Sequence, residues 1–326
     1  MLACITIDEI SPETYCRKYL GHLLSHEKYY LSIYADVLDK LLASSRKQLS
    51  DITLIDFGSG NGLLGLFAKY CGFKKVILVD LDEKFVHASK QLSAQLGIDA
   101  DAYISGDIDT LMLYCKNELP DAIAGTDVIE HIYDLNYFFN QLRQINPSIV
   151  SVFTTASNPV NIFKVKTLKK VQRRDELEGG EPSDHALFGE IPLEPFLKTR
   201  ESIIRKKYIK LSNSEIITLA KETRGLIEAD IIKAVEEYQL SKKLPVPADG
   251  FNTCNPLNGS WTERILSLNA YISLYRHAGF TCKFYAGFYN DREVGQRSFV
   301  KKLLNAGVEI FGKRISPYIV IVGQKI

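Results

Sequence analysis

From residue 51 the chain alternates between two hydrophobic patterns. Short, continuous apolar runs are each followed by a stretch with apolar residues every three or four positions. "DITLIDF" leads through glycines into "NGLLGLFAKYCG", and "KKVILVD" leads into "EKFVHASKQLSAQLG". "DAYIS" and "PDAIAGT" follow, then "VIEHIYDLNYFFNQLRQI", then "PSIVSVFTTAS". The runs predict strands, and the spaced stretches predict helices, two of them closed by Gly72 and Gly97. Strands that are almost wholly apolar and alternate with helices predict a parallel sheet covered on both faces.

On either side the pattern differs. Residues 13–47 read as N-terminal helices. Beyond Asn158, residues 160–260 carry helical spacing and no convincing strand. Within them, "SNSEIITLAKETRGLIEADIIKAVEEYQL" predicts two helices, and "KLPVPADGFNTCNPLNGS" predicts loop. The α/β style then returns, with a helix at 261–278, a strand "TCKFYAGFY", a helix near 293–305 and a last strand "PYIVIVGQK". The expected organisation is a helical cap at 1–50, a core at 51–159, a helical insertion at 160–260 and completion of the core at 261–326.

Composition narrows this little. With 46% hydrophobic and 24% charged residues and a net charge of +1, no global field recruits nucleic acid. The six cysteines, Cys4, Cys16, Cys71, Cys115, Cys254 and Cys282, are scattered without a C-x-x-C pair, which argues against a zinc ribbon or disulfide framework. No basic start precedes an apolar run, and no run approaches roughly 20 apolar residues. A reduced, cytoplasmic monomer or homodimer is expected.

The glycine loop carries the chemistry. Asp56, Gly58, Gly60 and Gly62 form D-x-G-x-G-x-G, and Leu63 stands where a dinucleotide fingerprint needs glycine. Such a strand–loop–helix unit points backbone N–H groups at whatever lies above the strand ends. No G-K-[ST] follows, which argues against a phosphate cradle. Asp80 closes the second strand, where an acid can accept both ribose hydroxyls. Asp107 follows the third, where it meets an adenine amino group or, alternatively, bonds its own turn.

In this ordered set the chain resembles the class I S-adenosylmethionine-dependent methyltransferases, over about residues 45–158 and 262–326. The resemblance implies a Rossmann-like seven-stranded sheet with the last strand antiparallel. It implies that Gly58, Ser59, Gly60 and Gly62 lie against the methionine part of the cofactor. Asp80 with Leu81 would hold the ribose, Asp107 with Ile108 the adenine, and Thr126 would lie near the methionine end.

Asp127, Glu130 and His131 follow at i, i+3, i+4, which would place them on one face of a helix already begun. His185 stands in "EPSDHALFGE". The group resembles that of the ubiquinone-pathway O-methyltransferases and the small-RNA 3′-end 2′-O-methyltransferases. The resemblance implies a divalent ion (Mn, Mg, Fe or Zn) held by Asp127, Glu130, His131 and His185. A metal lowers a hydroxyl pKa and fixes neighbouring oxygens. Alternatively Asp127 caps the helix with Glu130 as capping-box partner, and His131 acts without metal as general base or substrate contact.

The insertion is expected to lie over the strand ends as a substrate lid. Its basic clusters, Lys164 to Arg174 and Arg200 to Lys210, read either as solvated helix faces or as contacts to an anionic substrate. Trp261 stands in a loop that lines a polar pocket, or at a helix start capped by Ser260. The expected activity is O-methylation of a small polyhydroxylated or phenolic molecule. The alternatives are RNA ribose 2′-O-methylation and a non-catalytic cofactor-binding regulator.

Overall fold

The computed structural model describes residues 2–117, 119–180, 194–247, 249–292 and 296–326. Seven strands form one sheet: β1 Thr53–Phe57, β2 Lys75–Asp80, β3 Ala102–Ser105, β4 Ala122–Thr126, β5 Val150–Thr155, β6 Phe280–Ala286 and β7 Ile319–Lys325. Their order is β3-β2-β1-β4-β5-β7-β6. β1 to β5 pair in parallel, and β7 runs antiparallel to both β5 and β6. This is the seven-stranded, methyltransferase-like arrangement with its last strand reversed that the resemblance implied. Every residue of β1 and β5 is buried, as continuous apolar runs require of strands covered on both faces. β6 lies at an edge, and its exposed Thr281, Lys283 and Tyr285 alternate with partly buried neighbours.

The chain divides into two compact units. The first comprises Met1–Ile129, Asp134–Asn161 and Leu266–Ile326. Residues 1–50 belong to it: Leu20, Leu23, Val37, Leu38 and Leu41 share one apolar core with Leu54, Val76, Val152 and Val320. The helical segment expected over 13–47 consists of two helices, Thr14–Ser25 and Glu27–Ser45. At the break Ser25 Oγ donates to the His22 carbonyl at 2.8 Å, and His26 Nδ1 reaches the same oxygen at 3.1 Å. These side chains compete with the helical ladder, which period alone does not reveal.

The second unit comprises Glu130–Tyr133 and Ile162–Ile265. Its described helices are Ile162–Leu177, Phe196–Lys207, Asn213–Glu222 and Glu228–Ser241. Ser212 and Glu215 close a capping box at the start of the third. Ile204, Ile216, Leu219, Ile231 and Val235 form a small core. The reading of Arg200 as part of a basic surface cluster is corrected. It is fully buried, paired with Glu176, and donates from Nε to the Ala220 carbonyl at 2.7 Å. Among the described residues no helix is long and apolar enough to cross a membrane.

Candidate functional site

The first unit gathers the residues expected to hold the cofactor at the carboxyl ends of β1, β2, β3 and β4. After Phe57 the backbone enters the left-handed region at Gly58, with φ 67°. A Cβ there would lie 2.4 Å from Val128 Cγ2, so nothing larger than glycine fits. The turn is fixed by Ser59 N–H to the Val79 carbonyl at 3.0 Å and Gly62 N–H to the Ser59 carbonyl at 2.8 Å. Gly60 N–H donates to Asp80 Oδ2 at 2.7 Å, so the acid ending β2 grips the loop that follows β1. Asp80 Oδ1 accepts from the Asp82 N–H at 3.0 Å. Each carboxylate oxygen has two acceptor lobes and keeps one beyond these bonds. Burial pushes the Asp80 carboxyl above its ordinary value, against the two backbone hydrogen bonds.

Asp56 lies beneath the turn. It is 2% exposed, and Oδ2 accepts the Gly65 N–H at 2.8 Å, tying β1 to the first turn of helix Leu63–Cys71. Burial pushes its carboxyl up to about 7, opposed by that hydrogen bond and aided by repulsion from Asp80. Asp56 therefore shapes the turn from below. Leu81, next to Asp80, is 72% exposed. Asp107 caps helix Ile108–Tyr114, its Oδ1 accepting from the N–H groups of Asp109 and Thr110 at 3.1 Å. This is the self-bonding turn weighed for it, and it occupies one oxygen of two. Ile108 is buried behind it, and Thr126 closes β4.

Two polar atoms in the turn are buried without a hydrogen-bond partner among the described residues: Ser59 Oγ and Asn61 Oδ1. Asn61 donates from Nδ2 to the Cys16 carbonyl at 3.1 Å, which fixes the orientation of its amide. An orphaned buried acceptor is costly and marks a place for a donor. Tyr19, from helix Thr14–Ser25, approaches the turn so closely that a Cβ on Gly60 would sit 3.1 Å from its ring. Burial raises its hydroxyl pKa, with further contributions from Asp127, Tyr15, Tyr30 and Asp80. Sequence reasoning missed Asn61 and Tyr19. Asn61 stood inside the quoted glycine loop, whereas Tyr19 has only the spacing of a core residue beside Cys16, Leu20 and Leu23.

The helix expected from Val128 does not begin until Leu135, where Asp134 is the N-cap and accepts the Tyr137 N–H at 2.9 Å. The one-face argument for Asp127, Glu130 and His131 therefore fails, and so does the capping box between Asp127 and Glu130. Asp127 takes φ 50°, a left-handed conformation that turns the chain out of β4. Its N–H donates to the Thr154 carbonyl at 3.1 Å, and its Oδ1 accepts from Ala156 N–H at 3.1 Å. Among the described residues no group of three or more His, Cys, Asp or Glu side chains is arranged to hold a metal ion. His185 lies outside the described residues. Among the described residues, Asp127, Glu130 and His131 are thus not assembled as the donor set that the resemblance implied.

His131 belongs to the second unit. Its ring Nδ1 lies 2.8 Å from the Trp261 carbonyl. A carbonyl only accepts, so Nδ1 carries the proton and Nε2 of the neutral ring carries the basic lone pair. Trp261 N–H donates back to the His131 carbonyl at 3.4 Å, and Trp261 Nε1 donates to the Tyr133 carbonyl at 3.1 Å. The Tyr133 and Trp261 rings stack at 6.0 Å, and Tyr133 Oη donates to Asp230 at 2.6 Å. The expected helix start at Ser260 is not formed. Trp261 pairs with Cys254 in an isolated bridge, and the helix begins at Leu268 behind Ser267.

No family model matches the chain. It is 29% identical over 110 residues to a ribosomal protein L11 methyltransferase of Glaesserella parasuis serovar 5, covering 34% of this chain and 33% of that protein. A protein of the same name from Salmonella arizonae is 32% identical over 101 residues, covering 31% and 30%. The chain thus matches about a third of the length of these curated relatives. Among solved structures, PKMT2 from Rickettsia typhi aligns over 90% of this chain and 52% of its own, at 13% identity and a TM-score of 0.43. An S-adenosylmethionine dependent methyltransferase from Mesorhizobium loti aligns over 89% and 96%, at 10% identity and 0.40.

Proposed function

We propose that the chain is an S-adenosylmethionine-dependent methyltransferase. The observation that carries the proposal is the closed turn Gly58–Gly62, clamped to Asp80 and lined by two buried, unpartnered acceptors, Ser59 Oγ and Asn61 Oδ1. These residues fit the cofactor. The two acceptors suit an amino group, and the free lobes of Asp80, with exposed Leu81 beside it, suit a ribose and its pair of hydroxyls. When bound, S-adenosylmethionine supplies a methyl carbon activated by sulfonium. The remaining work falls to the chain. Asp80 fixes the ribose and the glycine turn together, Asp107 keeps one oxygen for an adenine amino group, and Thr126 marks the methionine end. The local likeness to proteins named methyltransferases supports the same reading.

For the acceptor we propose a hydroxyl of a small polyhydroxylated or phenolic molecule. His131, held as the Nδ1–H tautomer by the Trp261 carbonyl, is the base. A second reading is a protein acceptor, favoured by the name of the relatives that this chain matches over about a third of their length. Titration calorimetry with S-adenosylmethionine and S-adenosylhomocysteine tests the cofactor. Wild type should bind both, and Asp80→Asn should bind about ten- to a hundredfold more weakly, the weight of a charged hydrogen bond. Absence of uptake by wild type ends the proposal. Labelled-methyl transfer to phenols and polyols, set against transfer to cell protein, separates the two acceptors. His131→Ala should lower turnover while leaving cofactor affinity unchanged; unchanged turnover removes it as the base.

A further inference from the structure

The connection between β6 and β7 carries a helix, Gln296–Phe311, that is amphipathic in the inverted sense: it leaves a broad apolar face to solvent. Phe299, Val300, Leu303, Ile310 and Phe311 are each 55–76% exposed. At 100° per residue all five fall within an arc of about 120°. The opposite side is anchored. Asn305 donates from Nδ2 to the Tyr289 carbonyl at 3.1 Å and accepts the Tyr289 N–H at 2.7 Å. The face is therefore presented by a fixed helix about 24 Å long. A row of large apolar side chains this extensive on one surface marks an interaction site.

Charge selects the occupant. Residues 296–314 contain Arg297, Lys301, Lys302, Lys313 and Arg314 against a single acid, Glu309. Lys302 and Arg314 are exposed. A second copy docked face to face across a two-fold axis would bring two such basic sets together, at a cost in repulsion. An apolar stripe flanked by bases suits the boundary between acyl chains and anionic headgroups. We propose that Gln296–Phe311 docks the protein onto an anionic lipid surface, with Phe299, Leu303 and Ile310 inserted and Lys302 and Arg314 on the headgroups.

The topology gives the docking a consequence. Ala286, which ends β6, pairs with Ile319, and Ile319 pairs with Thr155 at the end of β5. Both ends of the connection thus lie at the carboxyl end of the parallel strands, where the glycine turn is. The connection is tied there by Asn158 Nδ2, donating to the Lys313 and Ser316 carbonyls at 2.8 and 2.9 Å, and by Tyr29 Oη, donating to the Phe288 carbonyl at 3.2 Å. A docked molecule therefore presents that end of the sheet to the lipid.

Co-sedimentation with vesicles of phosphatidylcholine alone, and of phosphatidylcholine mixed equally with phosphatidylglycerol, tests the inference independently of cofactor binding. The full chain should pellet with the mixed vesicles and not with phosphatidylcholine. The double variant Phe299→Ser/Ile310→Ser should lose vesicle binding while its melting temperature and far-UV spectrum stay unchanged. Lys302→Gln and Arg314→Gln should each weaken binding about fivefold, the equivalent of about 1 kcal/mol per base at an anionic surface. Four results would overturn the proposal. They are no binding to mixed vesicles, equal binding to both kinds, binding untouched by the serine pair, and a concentration-dependent dimer abolished by the serine pair without vesicle binding.

Discussion

Replacing Asp56 with asparagine probes the electrostatics beneath the glycine turn. The carboxyl is 2% exposed, and burial outweighs the hydrogen bond from Gly65, pushing it up to about 7 from 3.8. A folded-state value above the unfolded one means that folding takes up a proton in the interval between them. The stability contributed by the protonated carboxyl is fully present below the unfolded value and is lost as pH rises through the folded one. The slope across that window is about 1.4 kcal/mol per pH unit. From about pH 5 to pH 7 the wild type therefore loses roughly 2–3 kcal/mol that a neutral amide does not lose. Asparagine keeps an oxygen for the Gly65 N–H, so the hydrogen bond survives. Urea unfolding of both proteins at about pH 5, 6, 7 and 8 is the assay. The advantage of Asp56→Asn should grow with pH and flatten above about pH 7. An advantage equal at the two extremes would mean that the carboxylate is ionised throughout. A deficit that stays constant from about pH 5 to pH 8 would mean that the ionised form is held favourably and titrates below that range, and the assignment of burial as the dominant effect would fall.

Gly58→Ala meets both a positive φ of 67° and Val128 Cγ2 at 2.4 Å. It should cost about 1–3 kcal/mol and abolish cofactor uptake in calorimetry; retained affinity would show that the turn is not the binding element. Tyr19→Ala removes the ring beside Gly60 and should weaken cofactor binding, whereas Tyr19→Phe should not; equal loss in both would point to the hydroxyl instead. Glu176→Ala leaves the fully buried Arg200 charge without its carboxylate partner, and should destabilise the helical unit by about 3–5 kcal/mol in urea unfolding. A cost below about 1 kcal/mol would mean that the pair behaves as a surface one.

The alternation of continuous apolar runs with helically spaced stretches was enough to place β1, β2, β4 and β5, because strands covered on both faces have no polar side to blur the signal. Asp80 and the glycines were legible for a related reason. Glycines after one strand and an acid ending the next are particular residue types at fixed spacing, whereas the Gly60–Asp80 hydrogen bond that joins them was not anticipated and appeared only in the structure. Local chemistry misled where two local solutions competed. Asp127 looked like a helix cap, but Asp134 takes that role, and the intervening residues turn out of β4 through a left-handed aspartate. Arg200 looked like one more base in a solvated cluster until Glu176, 24 positions earlier, was found beside it.

The chain's own order of residues determined the parallel part of the sheet and the glycine turn, since each depends on periodicity or on chemistry confined to neighbouring segments; the reversed last strand was expected only from the resemblance. Only the tertiary structure decided which buried acceptors lack partners, that Tyr19 approaches Gly60, that the carbonyl of Trp261 sets the tautomer of His131, and that Phe299 and Ile310 face outward. Each of these depends on groups brought together from distant positions. Hydrophobic period can say that a helix has an apolar face, but not whether anything in the folded molecule covers it.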